Sequence, residues 1–300
     1  MRTYTDFIRY LASKKSVDDR ALNRQTWDAL AGVLDTCETP EILEIGGGIG
    51  TMIERLFARQ ALQHTRYTLL DEEAKNISEA RRRLPAWAEK NNFVVGWQDE
   101  TLVLWKNGLE TKISFLAEDL FDFLARHNPA EKYDLLIAHA FLDLVDIPAT
   151  LPKLLELLYP KSHFYFTINF DGETIFEPAI LHDKEILARY HQTMDERIIA
   201  GKRSGDSRAG RHLFSHLNDS GCEILSAGSS DWVVFGNENY PEDEAYFLHF
   251  IVSTVHNALR CDGEIAPRRV DAWARARHAQ ITSGTLVYIA HQLDFLGRIR

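Results

Sequence analysis

The chain has 300 residues, of which 45% are hydrophobic and 26% are charged, which is enough for a packed core in one large domain or two small ones. Its formal net charge of −10 argues against a protein that wraps nucleic acid, because phosphate binding requires a basic face. No apolar run approaches the ~20 residues that a membrane span requires, and the N-terminus lacks the apolar core of a signal peptide.

The first 38 residues are predicted to form two helices. Apolar residues recur at helical spacing in two groups, one from Phe7 to Leu11 and one from Leu22 to Leu34. Between them, Ser16 to Asp19 has the residue types of a helix cap and a loop. We therefore expect a loop at these four positions.

A strand, a glycine-rich turn and a helix follow in the stretch that begins at Glu41. The strand is predicted to begin at Glu41 and to end at Glu44, and the helix begins at Thr51. Glycine suits the turn because the backbone must bend sharply and a ligand can approach it with no Cβ in the way. The unpaired N–H groups of the next helix attract polar or negative ligand groups. This pattern indicates a nucleotide-like cofactor at the end of the first strand of an α/β sheet.

The glycine spacing narrows the class of cofactor. A dinucleotide fingerprint requires G-x-G-x-x-G, whose third position falls here on Thr51. The sequence is instead Glu44-x-Gly46-x-Gly48-x-Gly50, which resembles the first motif of class I S-adenosylmethionine-dependent methyltransferases. A glycine-rich turn without a ligand is the alternative.

The resemblance implies a doubly wound α/β fold with a seven-stranded, mostly parallel sheet and an antiparallel last strand. It implies S-adenosylmethionine as the cofactor, bound in part by the residues of the motif: Glu44, Gly46, Gly48 and Gly50. In many such enzymes an N-terminal helical segment lies over the cofactor, although packing against the sheet edge is an equal alternative here. The side chains that would face the site are Tyr4, Tyr10, Asn23 and Trp27.

Acids at the ends of the second and third core strands are the next cofactor-binding candidates. Asp71 ends a predicted strand about 20 residues after Gly50, the position of an acid that binds ribose hydroxyls. Asn107-Gly108 predicts a tight hairpin, which we assign to an insertion before the third core strand. At the end of that strand the resemblance implies that Asp119 bonds the adenine amino group and that the N–H of Leu120 meets the ring. Asp119 is equally suited to cap the helix that follows.

The fourth core strand, predicted from Tyr133 to Ala138, is followed by His139. The resemblance places His139 at the cofactor and near the transferred methyl group. Methyltransferases that modify nucleobase amino groups carry an Asn/Asp/Ser-Pro-Pro-aromatic tetrapeptide here. Its absence disfavours nucleic acid as the substrate.

Residues 169–212 are polar and form the predicted acceptor side of the site. His182 and His191 are candidates, with His139, for catalytic acid–base work, because the imidazole pKa lies near neutrality. The predicted substrate-binding residues are Asn169, Arg208 and Arg211. The segment from Arg197 to Arg211 carries five basic residues, which either bind an anionic group of the acceptor or are neutralised by nearby acids in a solvated loop.

One domain is predicted over residues 1–300. Its parts are N-terminal helices (1–38), a cofactor-binding core (39–170), cap insertions (171–220 and 237–281) and last strands (223–235 and 285–294).

The predicted function is methyl transfer from S-adenosylmethionine to the oxygen or nitrogen of a small molecule, with neither nucleic acid nor membrane as a partner. The alternative is a non-catalytic S-adenosylmethionine- or nucleotide-binding module that acts through a protein partner. A homodimer is left open. The isolated cysteines Cys37, Cys222 and Cys261 form neither a disulfide framework nor a metal-ligand set, so we expect a reducing cytoplasm and no metal.

Overall fold

The structure, a computed structural model, describes residues 4–59, 61–62, 64–199, 201–237 and 239–300. Its helices are α1 (Phe7–Ala21), α2 (Arg24–Leu34), α3 (Thr51–Ala58), α4 (Ala74–Lys90), α5 (Leu120–Arg126), α6 (Ile147–Leu155), α7 (Asp183–Asp195), α8 (Ala209–Asp219), α9 (Glu244–Arg260) and α10 (Pro267–Thr282). Its strands are β1 (Glu41–Ile45), β2 (Thr65–Asp71), β3 (Val94–Gln98), β4 (Thr101–Lys106), β5 (Leu109–Ala117), β6 (Tyr133–His139), β7 (Leu158–Glu177), β8 (Ile198–Ile199), β9 (Lys202–Arg203), β10 (Cys222–Ser229), β11 (Trp232–Val234) and β12 (Val287–Ile299).

The main sheet has the strand order β10-β12-β7-β6-β1-β2-β5-β4-β3. Strands β5, β2, β1, β6 and β7 are parallel, and β12 runs antiparallel between β7 and β10. The predicted doubly wound sheet, with seven core strands and an antiparallel last strand, is therefore confirmed. The chain order reverses at β1, so the carboxyl ends of β1, β2, β5 and β6 open at one edge of the sheet, where α/β proteins bind ligands.

Helices cover both faces of the sheet because its central strands are apolar on both sides. Ile42 and Leu43, neighbours in β1, point to opposite faces, and both are fully buried. One face packs against α1–α4, α7, α9 and α10, and the other packs against α5, α6 and α8. The predicted N-terminal helices thus lie over the same face as α7, α9 and α10 of the predicted cap, whereas α8 of the cap lies on the other face.

The inserted hairpin extends the sheet at its far edge. Strand β4 pairs antiparallel with β5, and β3 pairs antiparallel with β4. Asn107 and Gly108 both have positive φ, 54° and 80°, as a tight primed turn requires. The hairpin prediction is confirmed.

The predicted loop from Ser16 to Asp19 is wrong, because these residues lie inside α1. Asp18 is 1% exposed, and its carboxylate accepts a bond from Lys14 Nζ one turn earlier (2.7 Å). The break comes instead at Asn23, whose side chain caps α2 by accepting a bond from the N–H of Thr26. A polar residue indicates a loop only where its side chain is solvated by water. The carboxylate of Asp18 is instead bonded to the buried ammonium group of Lys14, so it can lie inside a helix.

Strand β7 continues past residue 170, the predicted boundary between core and cap, to Glu177. Beyond the core it stays paired with β12, with Ile175 opposite Ile289, and β11 joins the outer side of β12. Phe176 on this extension is buried against Trp273 of α10, with ring centroids 5.7 Å apart. The cap therefore includes an arm of the main sheet.

Replacing Gly297 with Ala tests the close packing of β12. A Cβ at Gly297 would lie 2.6 Å from the carbonyl oxygen of Glu223 and would meet the ring of Phe164. We expect the free energy of unfolding to fall by about 1–3 kcal/mol, because neither neighbour can move away freely. The control is Gly32→Ala in α2, where nothing lies within 4 Å of the new methyl group. Urea unfolding that shows equal stability for the two variants would contradict the packing described for β12.

Candidate functional site

The glycine turn lies at the carboxyl end of β1 and leads into α3. Gly46, Gly48 and Gly50 have φ values of 61°, 56° and 79°. Residues other than glycine rarely adopt this left-handed backbone conformation. A Cβ at Gly46 would collide with the ring of Phe141, which follows β6. A Cβ at Gly48 would lie 3.3 Å from Leu11 of α1. The turn is thus packed against both β6 and the N-terminal helix.

Gly48 is constrained by this packing and by its own backbone conformation. A large residue there would not act only on ligand space, because it would press on Leu11 and impose backbone strain. Substitution at Gly48 therefore changes folding as well as binding.

Asp71 is fixed by the turn beside it. One carboxylate oxygen accepts a bond from the N–H of Gly48 (2.8 Å), and the other accepts bonds from the N–H of Glu73 and from Asn76 Nδ2 (both 2.9 Å). A carboxylate offers about four lone-pair positions, so roughly one remains for a ligand. Asp71 can accept one hydroxyl as it stands, not the two that a ribose diol would donate.

Asp119 and Leu120 leave hydrogen-bonding groups open at the end of β5. One oxygen of Asp119 caps α5 by accepting bonds from the N–H groups of Phe121 and Asp122. Within the described residues, the other oxygen and the N–H of Leu120 have no partner. The capping role predicted for Asp119 is confirmed, and a free acceptor and a free donor lie side by side next to it.

Three acids converge at this edge of the sheet. Burial, with the negative charges of Asp119 and Asp71, raises the pKa of Glu72. Such a site favours a ligand that brings hydroxyl or amino donors and disfavours phosphate. The nearest cation of α3, Arg55, is already paired with Asp18 and Asp19.

A buried cluster of charges joins α1 to α3 and β6. Asp18 accepts hydrogen bonds from Lys14 Nζ, Arg55 Nη2 (3.2 Å), His139 Nε2 (2.9 Å) and the indole N–H of Trp232 (2.8 Å). Burial alone would oppose its ionisation, but Lys14, His139 and Arg55 outweigh that effect and hold the pKa of Asp18 well below its usual value. Asp18 is therefore a carboxylate at every physiological pH.

His139 belongs to this cluster and is held neutral. Burial, reinforced by the positive charge of Lys14, outweighs the attraction of Asp18 and lowers the pKa of His139 to about 4. Since Asp18 can only accept, Nε2 carries the proton, and Nδ1 accepts from the hydroxyl of Thr167 (2.8 Å). Both ring nitrogens are occupied, which suits a residue that positions its neighbours better than a base.

Glu44 of the motif lies on the sheet face below the turn and is 1% exposed. It accepts a hydrogen bond from the hydroxyl of Tyr67 (2.8 Å), and burial raises its pKa to about 8. The carboxyl carbon would be 3.2 Å from a Cβ at Gly47. Glu44 thus supports the turn from beneath as a neutral acid, and its predicted contact with the cofactor stays a prediction.

The other two candidate histidines lie in the cap, apart from the cluster around His139. His182 begins α7 with a φ of 75°, and its Nδ1 lies 3.2 Å from the carboxylate of Glu185. His191 bonds Thr174 Oγ1 on the outer arm of β7 (3.0 Å) and stacks edge-on against Phe170. Burial lowers the pKa of His191, so it is neutral at pH 7.

The three predicted acceptor residues differ in their partners and in their burial. Asn169 is fully buried in β7 and donates to the carbonyl oxygen of Leu293. Arg211 forms a two-pronged ion pair with Asp171, at 2.8 and 3.0 Å. Arg208 is exposed at the start of α8. Among the described basic side chains of that segment, Arg211 is the one that forms an ion pair, so both the anion site and the neutralised loop stay predictions. The side chain of Lys202, also in that segment, lies outside the described residues.

Sequence patterns pointed only weakly to the residues that build the cluster. The spacing of Lys14 and Asp18 is that of an ion pair on one face of a helix, and that signal was available. No sequence pattern pointed to Arg55, because its partners lie some 36 residues earlier in the chain. Of the N-terminal candidates, Asn23 caps α2 and Trp27 packs against Tyr165, so neither faces the site.

No metal site and no membrane-crossing helix are found in the described ranges. No group of three or more His, Cys, Asp or Glu residues there could hold a metal ion. Likewise, none of the helices described has both the length and the apolar character that a membrane crossing requires.

The sequence matches no family model, and no curated protein matches it. Several solved structures have a similar backbone. An S-adenosylmethionine-dependent methyltransferase from Thiobacillus denitrificans, solved with S-adenosylhomocysteine, has 13% identity and a TM-score of 0.45 over 93% of each chain. A methyltransferase of the same description from Geobacter sulfurreducens has 12% identity and a TM-score of 0.44 over 94% of this chain and 93% of that one.

A cyclopropane synthase from Mycobacterium tuberculosis has 13% identity and a TM-score of 0.46, over 90% of this chain and 82% of that one. At this level of similarity the neighbours assign no activity to this chain. The functional conclusion therefore rests on the geometry of the site.

Removing the charge of Asp18 tests the cluster. Asp18→Asn should lower the free energy of unfolding by about 3–5 kcal/mol, because it leaves buried cations without their partner. The matched control is Asp28→Asn, whose 3.8 Å pair with Arg24 is exposed and should contribute less than about 1 kcal/mol. Equal effects in urea unfolding at pH 7 would show that Asp18 is not the centre of the cluster.

The protonation of His139 gives a second test of the same cluster. Its pKa is lower in the folded chain, about 4, than the ordinary value of about 6.5 in an unfolded chain. The unfolded state therefore binds more protons between these values, and this contribution to stability is lost as the pH falls from 6.5 towards 4. We expect His139→Gln to have a flatter loss of stability over that range than the wild type. Parallel curves would contradict a neutral, buried His139.

Proposed function

We propose that this chain binds S-adenosylmethionine at the carboxyl edge of its sheet and transfers the methyl group to the oxygen or nitrogen of a small molecule. The observation that carries the proposal is the combination of the glycine turn with three acids, Asp71, Glu72 and Asp119, and no unpaired cation of α3 beside them. A nucleoside cofactor without phosphates matches this set of charges, and a dinucleotide does not.

The residues of the edge fit the parts of that cofactor. The open lone pair of Asp71 suits one ribose hydroxyl. The free oxygen of Asp119 and the free N–H of Leu120 suit the amino group and ring nitrogen of adenine. The turn at Gly46, Gly48 and Gly50 would lie beneath the methionine part.

Bound S-adenosylmethionine supplies a methyl group on a positively charged sulfur. The chain's own contribution to such a transfer is to hold the acceptor in line with that methyl group and to exclude water. Helix α1, fixed over the turn by Asp18, serves the second purpose. His139, His182 and His191 stay predictions as acid–base groups, and the bonds of His139 favour a positioning role for it.

The alternative, a module that binds S-adenosylmethionine without catalysis, shares the same cofactor site. The two proposals separate at the acceptor side, where an enzyme needs open polar groups next to the methyl position. Small molecules, with neither nucleic acid nor membrane, are the partners that we propose. A homodimer and a cytoplasmic location stay predictions.

Cofactor binding can be measured by titration calorimetry with S-adenosylhomocysteine. Asp119→Asn should weaken binding by about 1–3 kcal/mol, because it replaces the acceptor for the adenine amino group. Asp71→Ala should do the same, and Asp122→Asn in the first turn of α5 is the control. Tighter binding of NAD than of S-adenosylhomocysteine to the wild type would overturn the proposal.

Methylation of nucleic acid is the second measurement. The net charge of −10 and the missing tetrapeptide after β6 lead us to expect no transfer to bulk tRNA or DNA. Salt-dependent incorporation that is lost on charge reversal of Arg203 or Arg208 would contradict this expectation.

A further inference from the structure

The inserted hairpin leaves one edge of the main sheet open. In the part of the chain that the structure describes, strand β3 is the last strand of the sheet and pairs with β4 alone. A two-residue turn joins these strands, since Gln98 lies opposite Thr101. In such a hairpin the pair that flanks the turn exchanges both backbone bonds, and so does every second pair after it. The N–H and C=O groups of Val95 and Trp97 therefore point away from β4, to the open edge.

This edge lacks the features that usually prevent a strand from pairing with another chain. Those features are proline, charged side chains, bulges, and a helix or loop laid over the edge. Strand β3 contains no proline and no charged residue, and its register with β4 is unbroken. Val94 is 67% exposed and Trp97 is 43% exposed. An open edge with exposed apolar side chains is a surface to which another strand can pair.

The opposite edge of the sheet is protected. Strand β10 has a register shift between Ile224 and Ser226, which leaves Leu225 without an opposite residue in β12. Such a bulge twists the strand and interrupts its row of outward backbone groups. A contact between β3 of one copy and β10 of the next is thus disfavoured, and a second β3 is the better match.

Strand β3 is complementary to a second copy of itself when the two run antiparallel. A two-fold axis at Gly96 would place Val95 opposite Trp97 of the second copy. Each of the two symmetric pairs would then exchange both of its backbone hydrogen bonds. The opposite side chains would lie on the same face of the sheet, and pairs of an aromatic and a β-branched residue stabilise neighbouring strands.

Charges at the two ends of β3 match in the same arrangement. Asp99 follows β3 in the exposed turn and forms no ion pair among the described residues, whereas Glu100 beside it is paired with Arg81. At the other end, the ammonium group of Lys106 lies 4.6 Å from the ring centroid of Phe93 and bonds to a backbone carbonyl. Antiparallel pairing brings the turn of one copy beside the other end of the second, so Asp99 comes within reach of Lys106 in the second copy.

We propose that β3 is the interface at which a second copy of this chain pairs antiparallel, so that the two main sheets become one continuous sheet. The inference does not rest on the proposed function. It gives the homodimer that the sequence leaves open a location and a symmetry. Backbone bonds alone would accept any extended strand, but the matched charges and the pair of Val95 with Trp97 select this chain as its own partner.

Sedimentation equilibrium measures the association directly. We expect the wild type to dimerise with a dissociation constant of about 10 μM, because a contact confined to one strand lies at the small end of interface sizes. A two-fold contact uses the same surface on both copies, so assembly should stop at the dimer. A wild type that stays monomeric up to about 1 mM, or that forms open-ended polymers, would overturn the proposal.

Charge reversal tests the match between the two ends. Lys106→Glu and Asp99→Lys should each weaken dimerisation by about tenfold, because each brings like charges together twice about the axis. The double variant should recover the affinity of the wild type, since it rebuilds the pair with the signs exchanged. Lys153→Glu, on the exposed surface of α6, is the control. A double variant that dimerises no more tightly than the single variants would contradict the antiparallel arrangement.

Val95→Pro tests the backbone bonds. Proline has no N–H and is tolerated on a strand edge where that group faces solvent, so the hairpin should fold while the dimer dissociates. Val95→Thr, which keeps the N–H group and the β-branched shape, is the matched control and should remain dimeric. A Val95→Pro variant with the circular dichroism and the dimer affinity of the wild type would overturn the assignment to β3.

Hydrogen exchange in the wild type gives a readout that needs no substitution. The N–H groups of Val95 and Trp97 should exchange more slowly as the protein concentration rises, because the second copy covers them. The N–H of Phe121, which is bonded within the chain to Asp119, is the reference and should not change. Exchange that is independent of concentration at both Val95 and Trp97 would overturn the proposal even if the protein dimerises.

Discussion

The ionised carboxylate of Asp18 is the constraint on which the rest of this site depends. It is 1% exposed and receives hydrogen bonds from α1, α3, β6 and β11. A buried charge is stable only when its partners are all in place, so the four elements can pack in essentially one arrangement. That arrangement sets α1 over the glycine turn and fixes the neutral tautomer of His139.

The two kinds of polar group in the site are used differently. Asp18 and His139 bond to other residues of the protein at each of their polar atoms, and Glu44 bonds to Tyr67, so these three residues hold the site together. Asp119 and Leu120 have capacity left over, so they are the groups with which a ligand can form hydrogen bonds. Whether a polar group is already bonded to the protein, rather than its residue type, therefore indicates whether it supports the site or can contact a ligand.

The sheet was predictable because its strands are local signals. The apolar run from Tyr133 to Ala138 and the turn at Asn107-Gly108 each specify their own structure, and both were found. The extension of β7 was not predictable, because Phe170 to Glu177 form a strand only through pairing with β12, more than a hundred residues later. The prediction of a loop at Asp18 was wrong for the same reason. The environment of Asp18 is formed by Arg55, His139 and Trp232, which lie far from it in the sequence, so no local pattern indicates them.

The contact between α1 and α9 has a consequence for the order in which the molecule is completed. Ser16 and Arg20 bond to Glu244, and Arg9 bonds to Asp243. Helix α1, which lies over the glycine turn, is therefore held in place by residues that come much later in the chain. A ribosome releases the first helix long before it makes α9. The nascent chain can therefore form the central parallel strands first, with the turn still open to solvent. The contacts that hold α1 over the turn form only once α9 has been synthesised.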